Sequence, residues 1–229
     1  MNKLKEKLKK TQIGNLARII IGKLKIKNSK TYWENLYLNN GNSGSGSYGK
    51  LAQFKADIIN DFIKNEKITE MLEFGCGDGN QLKMFKIKKY IGLDVSETII
   101  KKCIDKYKND KNKSFFIYNP FCFSDKINKL STELTVSLDV LYHLLEYDTF
   151  QKYLTDLFKT SKKYVIIYSS NYDDIQIAHE KRRNFTSWIE QNIADFKLIK
   201  IINNKYPYDP NNPDYTSLSD FYIYKKIKK

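Results

Sequence analysis

Short apolar runs alternate with amphipathic, helix-forming segments along most of this chain, and this alternation constrains the fold more than any other feature. Parallel strands need a crossover connection, usually a helix, so the pattern predicts a mostly parallel sheet with helices on both faces. The last two runs leave no room for a helix between them and are predicted to pair antiparallel. The expected fold is an α/β domain with seven strands, at residues 68–74, 90–93, 115–118, 134–138, 164–168, 196–202 and 221–227.

The positive charge of the chain is concentrated at its amino-terminal end. The 229 residues carry a net charge of +14, and residues 1–30 contain ten basic side chains and one acidic one. Apolar residues in that segment lie mostly four positions apart between Leu4 and Leu24, as in an amphipathic helix. We therefore predict a basic amphipathic extension over 1–30 and one domain over 31–229. The extension is expected to be either a solvated helix at the edge of the domain or a peripheral attachment to an anionic membrane.

The composition argues against several function classes. Only three of the 40 basic residues are arginine, the side chain that favours bidentate contacts to bases and phosphates, so we expect no nucleic-acid partner. Three scattered cysteines without a C-x-x-C pair argue against disulfides and a zinc site, and for a reducing, cytoplasmic compartment. The sequence contains no apolar run of membrane-spanning length and no pattern typical of a metal site.

A glycine-rich motif, Glu73-Phe74-Gly75-Cys76-Gly77-Asp78-Gly79, follows the first predicted strand, and we expect a helix after it. Glycines at such a turn let backbone N–H groups approach a ligand. Nineteen residues after Gly75 the second strand ends in Asp94, where a carboxylate can accept hydrogen bonds from a ribose. The third glycine comes one residue too early for a dinucleotide fingerprint. Glu73 would repel a pyrophosphate and suits a ligand with an ammonium or sulfonium group.

Residues 73–79 and 91–96 (IGLDVS) resemble motifs I and II of the class I S-adenosylmethionine-dependent methyltransferases, over roughly residues 31–228. The resemblance implies a Rossmann-like methyltransferase fold, with S-adenosylmethionine as methyl donor and S-adenosylhomocysteine as product. A narrower likeness, in residues 32–34, 41–55, 137–144 and 165–171, is to small methyltransferases of bacterial surface-polysaccharide gene clusters. Those of Campylobacter capsule loci, proposed to methylate a phosphoramidate decoration, are similar.

By the family pattern, glycines and acidic residues around the motifs would hold the cofactor. Gly75 and Gly77 would contact its methionine part, Glu73 would orient that part or its loop, and Asp94 would bind the ribose. The remaining expected cofactor-site residues are Val95 against the adenine, Asn119 or Phe121 at the end of the third strand, Asp139 after the fourth strand, and Tyr32 beside the sulfonium. Asn119 stands where the family usually has an acidic residue, and its amide oxygen can still accept a hydrogen bond from the adenine amine.

The acceptor site is expected to use His143, Arg182 and Arg183. The two arginines, with His179, would hold an anionic acceptor that bears a phosphate or phosphoramidate, and His143 would orient it. Alternatively, His143 is a structural histidine and the arginines belong to a solvated face. A sugar hydroxyl would instead need His143 and Asp139 as a base pair. A third alternative is a protein that binds S-adenosylmethionine without turnover.

The Gly/Ser segment, residues 41–49 (GNSGSGSYG), lies between an aromatic cluster and a predicted helix. It does not join two domains, and it lacks the Gly-Lys-Ser/Thr ending of a P-loop because Leu51 follows Lys50. We predict that it is a mobile lid over cofactor and acceptor, with Tyr48 or Tyr32 presenting a ring face to the sulfonium.

Overall fold

The computed structural model describes residue 26 and residues 28–127 and 129–227. Its centre is a seven-stranded sheet with the order β3-β2-β1-β4-β5-β7-β6. All pairings from β3 across to β5 are parallel, whereas β5–β7 and β7–β6 are antiparallel. The strands are β1 Glu70–Phe74, β2 Lys89–Asp94, β3 Lys113–Ile117, β4 Thr132–Leu138, β5 Ser161–Ser169, β6 Phe196–Ile202 and β7 Asp220–Lys226.

Within the described residues, five α-helices surround the sheet: α1 Ser29–Leu38, α2 Gly49–Asn65, α3 Glu97–Tyr107, α4 Tyr147–Lys159 and α5 Phe185–Asn192. Asn28 caps α1 by accepting a hydrogen bond from the Thr31 N–H at 2.7 Å. Ser96 caps α3 in the same way through the Ile99 N–H at 3.1 Å. The Asn28 cap stands immediately before a helix that lines the cavity described below.

Apolar side chains bury both faces of the sheet. One face packs against α2 and α3 through residues such as Ile59, Met71 and Cys103. The other packs against α4 and α5 through residues such as Leu154 and Phe185. Because both faces are covered, only the strand ends and the two edge strands are left for ligands, as expected for an open α/β sheet.

The expected fold is confirmed, including the antiparallel pairing of the two late strands. One predicted element is wrong: only a short 3₁₀ turn, Gln81–Met84, follows the glycine motif. Only nine residues separate Gly79 from Lys89, where β2 begins. These are too few to form a turn, a full helix and the connection into the strand. Helix α1 begins at Ser29, just inside the predicted extension, most of which lies outside the described residues.

None of the helices in the described part of the chain is both long and apolar enough to span a membrane. Over those same residues, no group of three or more His, Cys, Asp or Glu side chains is arranged to hold a metal ion.

Candidate functional site

A cavity of about 1130 Å³ opens at the carboxyl edge of the sheet. It lies where the connections after β1 and β4 diverge, which is the ligand position expected in an open α/β sheet. All nine residues predicted to hold a cofactor line it: Tyr32, Glu73, Gly75, Gly77, Asp94, Val95, Asn119, Phe121 and Asp139. The structure brings these residues together, and their individual roles in binding stay predictions.

Two glycines of the motif are required by close packing. Gly75 has a φ of +77°, and a Cβ there would lie 2.4 Å from Val140 Cγ2. Gly77 has a φ of +53°, and a Cβ there would lie 2.3 Å from Ser43 Oγ. Neither position accepts a side chain without backbone strain and displacement of a neighbour. The glycines therefore let the loop after β4 and the Gly/Ser segment approach the motif closely.

Asp94 links the ends of β1 and β2 at the cavity wall. Its Oδ2 accepts the Gly77 N–H and its Oδ1 accepts the Ser96 N–H, both at 3.0 Å. Burial raises the pKa of Asp94 to about 6, although these N–H groups oppose the shift. Each carboxylate oxygen can accept a further hydrogen bond, so the residue still fits a ribose diol.

Glu73 is a buried carboxyl group in the cavity wall. Its Oε2 accepts the Tyr90 hydroxyl at 2.5 Å. Burial raises the pKa of Glu73 to about 7, against the opposing effects of that hydrogen bond and of the Lys55 ammonium. The side chain thus lies close to its protonation midpoint at neutral pH.

We expect the Glu73→Gln variant to lose part of the pH dependence of stability. Between pH 4.5 and about 7 the folded protein holds a proton on Glu73 that the unfolded chain has lost. Stability from this group is therefore present below pH 4.5 and falls as pH rises towards 7, by at most about 1.4 kcal/mol per pH unit. Asp94 acts in the same direction up to about pH 6 and is retained in the variant.

The measurement is urea unfolding of both proteins at several pH values. The free energy of unfolding should fall less steeply with pH in the variant. Equal slopes for the two proteins would show that Glu73 titrates alike in the folded and unfolded states.

A buried ion pair lies between α2 and the loop after β4. Lys55, which is 1% exposed, donates to Asp139 Oδ2 at 2.7 Å. Asp139 Oδ1 accepts the Tyr142 hydroxyl and the Ser219 hydroxyl, both at 3.1 Å. Asp139 has a left-handed φ of +59°, which Asp tolerates better than most residues. The pair ties the helix that follows the Gly/Ser segment to the floor of the cavity.

Aromatic and imidazole rings form another part of the cavity lining. The Tyr32 ring stacks on His179 with centroids 4.4 Å apart, and His179 stacks on His143 at 5.0 Å. Trp33 meets His143 edge-on at 4.9 Å. We call Tyr32, Trp33, His143 and His179 the ring wall; all four line the cavity.

The two histidines of the ring wall are neutral at physiological pH. Burial lowers the pKa of His143 to about 3, and the adjacent His179 lowers it further. Burial also lowers the pKa of His179, with Glu180 opposing. His143 and Asp139 share no hydrogen bond, since Asp139 is bonded to Lys55, Tyr142 and Ser219. The predicted His143–Asp139 base pair is therefore not formed.

The arginines do not lie where the sequence interpretation placed them. Neither Arg182 nor Arg183 lines the cavity. Arg182 donates to the Glu180 carboxylate at 2.5 Å, and Arg183 donates to the carbonyl oxygens of Leu144 and Leu145 at 2.5 and 2.7 Å. Arg183 therefore joins the loop after β5 to the loop after β4, whereas Arg182 pairs within the loop after β5. These contacts account for the two arginines in a lysine-rich chain, and no anionic acceptor is needed to explain them.

Tyr48 is also placed differently from the prediction. Residues 41–47 of the Gly/Ser segment line the cavity, whereas Tyr48 does not. Its hydroxyl instead donates to Asp78 Oδ2 at 2.6 Å. Its ring therefore offers no face to a sulfonium, and of the two candidate tyrosines only Tyr32 borders the cavity.

The residues after β3 form the rim of the cavity. Asn119 Oδ1 accepts the Phe121 N–H at 3.2 Å, so this amide oxygen takes part in a local turn. Phe121 is 85% exposed at the rim, next to the cavity opening. Its ring is exposed at the cavity, and its role in stacking stays a prediction.

Several cavity residues were not singled out from the sequence. Lys55 lies in a helix that the apolar spacing predicts. Nothing in the sequence distinguishes this lysine from the many others as a cavity residue. Trp33 and Tyr142 stand in aromatic-rich segments, which was the only available clue. Their placement depends on helix α1 and on the turn after β4, both of which are defined by tertiary contacts.

Comparison of the sequence with known proteins finds matches to methyltransferases over part of the chain. The model of the mRNA (guanine-N(7))-methyltransferase domain family matches residues 51–153. The mRNA cap guanine-N(7) methyltransferase of Cryptococcus neoformans var. neoformans serotype D is 34% identical over 73 residues. That match covers 29% of this chain and 12% of the fungal protein. The chain thus spans about a tenth of the length of the curated relatives it matches.

Solved structures match over a larger part of the chain. The N-methyltransferase NodS from Bradyrhizobium japonicum WM9, in complex with S-adenosylhomocysteine, has a TM-score of 0.68 at 14% identity, covering 88% of this chain and all of NodS. Magnesium protoporphyrin IX methyltransferase from Synechocystis PCC 6803, with bound S-adenosylmethionine, has a TM-score of 0.60 at 12% identity over 89% and 99%. The first of these structures contains S-adenosylhomocysteine and the second S-adenosylmethionine. The chain therefore has the class I S-adenosylmethionine-dependent methyltransferase fold.

Proposed function

We propose that this protein is an S-adenosylmethionine-dependent N-methyltransferase for a small, ring-bearing acceptor. The observation that carries the proposal is a cavity whose lining combines two parts, the glycine motif with Asp94 (the motif end) and the ring wall. A volume of about 1130 Å³ exceeds the usual upper range of about 1,000 Å³ for a single-ligand pocket, so it has room for a cofactor and a second small molecule.

The residues at the motif end fit the cofactor. Asp94 would accept the ribose hydroxyls, and the acidic Glu73 would face the cationic methionine part. The turn Gly75–Gly77 would pass along the same part without side chains in the way. When bound, S-adenosylmethionine supplies an electrophilic methyl group, and the role of this chain is to align it with the acceptor for an in-line displacement.

The charge of the cavity favours a neutral or cationic acceptor. Its lining includes two lysines, Lys30 and Lys55, and five carboxylic residues: Glu73, Asp94, Asp139, Glu146 and Glu180. Lys55 is already paired with Asp139. A phosphate- or phosphoramidate-bearing acceptor of capsule biosynthesis, expected from Arg182 and Arg183, would be repelled by this surface, and both arginines lie outside it.

The ring wall favours a nitrogen nucleophile. A hydroxyl acceptor usually needs a base with a pKa near the operating pH, and His143 is far below that range. An aromatic ring nitrogen or a neutral amine presents its own lone pair and needs no such base. Flat rings such as Tyr32 and His179 suit a planar heterocycle. The matched family model and NodS, which are named for N-methyl transfer, point the same way.

The test combines cofactor binding with an acceptor panel. Calorimetry should show binding of S-adenosylmethionine and S-adenosylhomocysteine. Mass spectrometry should then detect methylation in a panel of purine nucleosides, a guanine-capped dinucleotide, aryl amines, sugar phosphates, phosphoramidates and neutral sugars. We expect products only from the purine nucleosides or the aryl amines, and none from the capped dinucleotide, whose phosphates the carboxylate-rich lining disfavours. A phosphoramidate or sugar product would overturn the acceptor class, and binding without any product would favour a non-catalytic protein.

The pH profile of His143→Gln separates the two acceptor chemistries. Because His143 is neutral from pH 5 to 8, kcat of the variant should follow the same pH profile as wild type, at a level reduced by at most about tenfold. Turnover is measured with saturating cofactor. An acidic limb near pH 6.5 in wild type that disappears in the variant would identify His143 as a general base and favour a hydroxyl acceptor.

A further inference from the structure

The Gly/Ser segment lies closed over the cofactor end of the cavity and is held there by one carboxylate. Asp78 Oδ2 accepts the Ser43 N–H at 3.1 Å and the Tyr48 hydroxyl at 2.6 Å. In return, the Asp78 N–H donates to Ser43 Oγ at 2.9 Å. These three hydrogen bonds join both ends of the segment to the glycine motif.

Further contacts place the segment directly on the motif. The Asn80 side-chain amide donates to the Ser47 carbonyl at 2.8 Å, and Ser43 Oγ packs where a Cβ of Gly77 would be. Residues 41–47 form part of the cavity lining on the side of Gly77. In this closed arrangement they stand beside the cofactor end of the cavity.

Asp78 and Tyr48 are suited to fasten the segment without contacting a ligand. Neither side chain lines the cavity, and the Tyr48 side chain is 38% exposed. Burial opposes ionisation of Asp78, but hydrogen bonds from Tyr48, Asn80 and Ser43 outweigh it and lower the pKa of this carboxyl. Asp78 is thus charged at neutral pH, and its two hydrogen bonds to the segment are charge-assisted.

We propose that Asp78 and Tyr48 are positioning residues that latch the Gly/Ser segment over the cavity and thereby set the rate at which the cofactor enters and its product leaves. The cofactor part of this inference rests on the proposed function. The latch itself is a property of the ligand-free protein. A hydrogen bond to a charged group contributes enough to slow opening by about tenfold or more.

The first test is hydrogen exchange on the full-length, ligand-free protein. In Tyr48→Phe and in Asp78→Ala, the amides of residues 41–48 should exchange about tenfold faster than in wild type, because local opening becomes easier. The matched control is Tyr164→Phe, which removes a similar tyrosine–carboxylate bond, from Tyr164 to Glu66 at 2.5 Å, away from the cavity. Unchanged exchange in both latch variants would overturn the latch.

The second test measures S-adenosylhomocysteine exchange by stopped-flow fluorescence. Trp33 lines the cavity and is one of only two tryptophans, so it can report binding. Releasing a latch should speed association and dissociation together, each by about tenfold in Tyr48→Phe. Loss of an ordinary ligand contact would change dissociation alone. That pattern, or unchanged rates despite faster hydrogen exchange, would overturn the role in cofactor exchange.

The two proposals fail in different ways. If wild type binds neither S-adenosylmethionine nor S-adenosylhomocysteine, the proposed function and the role in cofactor exchange are both wrong, and hydrogen exchange still decides the latch. If wild type binds and the variants exchange cofactor at the wild-type rate, only the latch inference is wrong.

Discussion

We expect the Lys55→Met variant to lose about 3 kcal/mol of the free energy of unfolding, the lower end of the cost of breaking a buried pair, because the Asp139 side chain is 15% exposed. The substitution removes the ammonium that faces Asp139 at 2.7 Å, in a pair whose lysine side chain is almost fully buried. The Asp139 carboxylate would keep only the hydroxyls of Tyr142 and Ser219. A buried charge that loses its counter-ion costs far more than a surface pair, because the desolvation penalty is no longer offset.

The double variant Lys55→Met with Asp139→Asn tests this reason. Removing both charges should recover a large part of the loss, because no uncompensated charge is left in the cavity floor. Asn is chosen because it tolerates the left-handed φ of +59° at this position. Additive losses in the double variant would contradict an electrostatic origin.

Urea unfolding provides the measurement, and an exposed pair provides the control. Lys101 and Glu97 are 2.7 Å apart on α3, with side chains that are 71% and 61% exposed. Lys101→Met should leave the unfolding midpoint almost unchanged, because water screens that pair. A similar loss in both lysine variants would indicate an effect of methionine substitution in general.

The second large effect is expected for Asp94→Asn, which should weaken S-adenosylhomocysteine binding about 100-fold. The carboxylate accepts the Gly77 and Ser96 N–H groups and, in the proposed complex, the ribose hydroxyls as well. An amide has one oxygen in place of two, and its NH₂ group would oppose one of these donors. The substitution therefore removes a charge-assisted contact and misaligns the glycine turn.

Calorimetric titration of the variant with S-adenosylhomocysteine checks this expectation. Asp156→Asn is the matched control: Asp156 is also a buried aspartate, bonded to Tyr118 at 2.9 Å, and it does not line the cavity. It should bind like wild type. Wild-type affinity in Asp94→Asn would remove Asp94 from the cofactor site.

Most of the sheet could be predicted from the sequence because its signals are local. Apolar runs such as 196–202 identify strands through residue type and alternation, and short connections dictate antiparallel pairing. The helix expected after Gly79 was wrong because only nine residues separate this glycine from β2. Strand-end positions such as Asp94 were predictable because parallel strands end at one edge of the sheet.

The acceptor half of the cavity could not be predicted in the same way. Arg182 and Arg183 were interpreted as an anion clamp, yet their partners are Glu180 and the carbonyl oxygens of Leu144 and Leu145. A side chain's partner depends on where a loop folds back, which residue type does not reveal. Likewise, Tyr48 was expected to present its ring face to the sulfonium, but its hydroxyl donates a hydrogen bond to Asp78.

The sequence by itself determined the α/β class and the mostly parallel direction of the strands. It also placed the glycine motif and Asp94 at one edge of the sheet, where they suit an adenosine cofactor. These features depend on local periodicity and on chain connectivity. Only the tertiary structure decided that Lys55 neutralises Asp139, that the rings of Tyr32, His179 and His143 stack into one wall, and that the Gly/Ser segment lies closed on the motif. Those features join residues more than thirty positions apart, and their energies come from burial and geometry that exist only once the chain is folded.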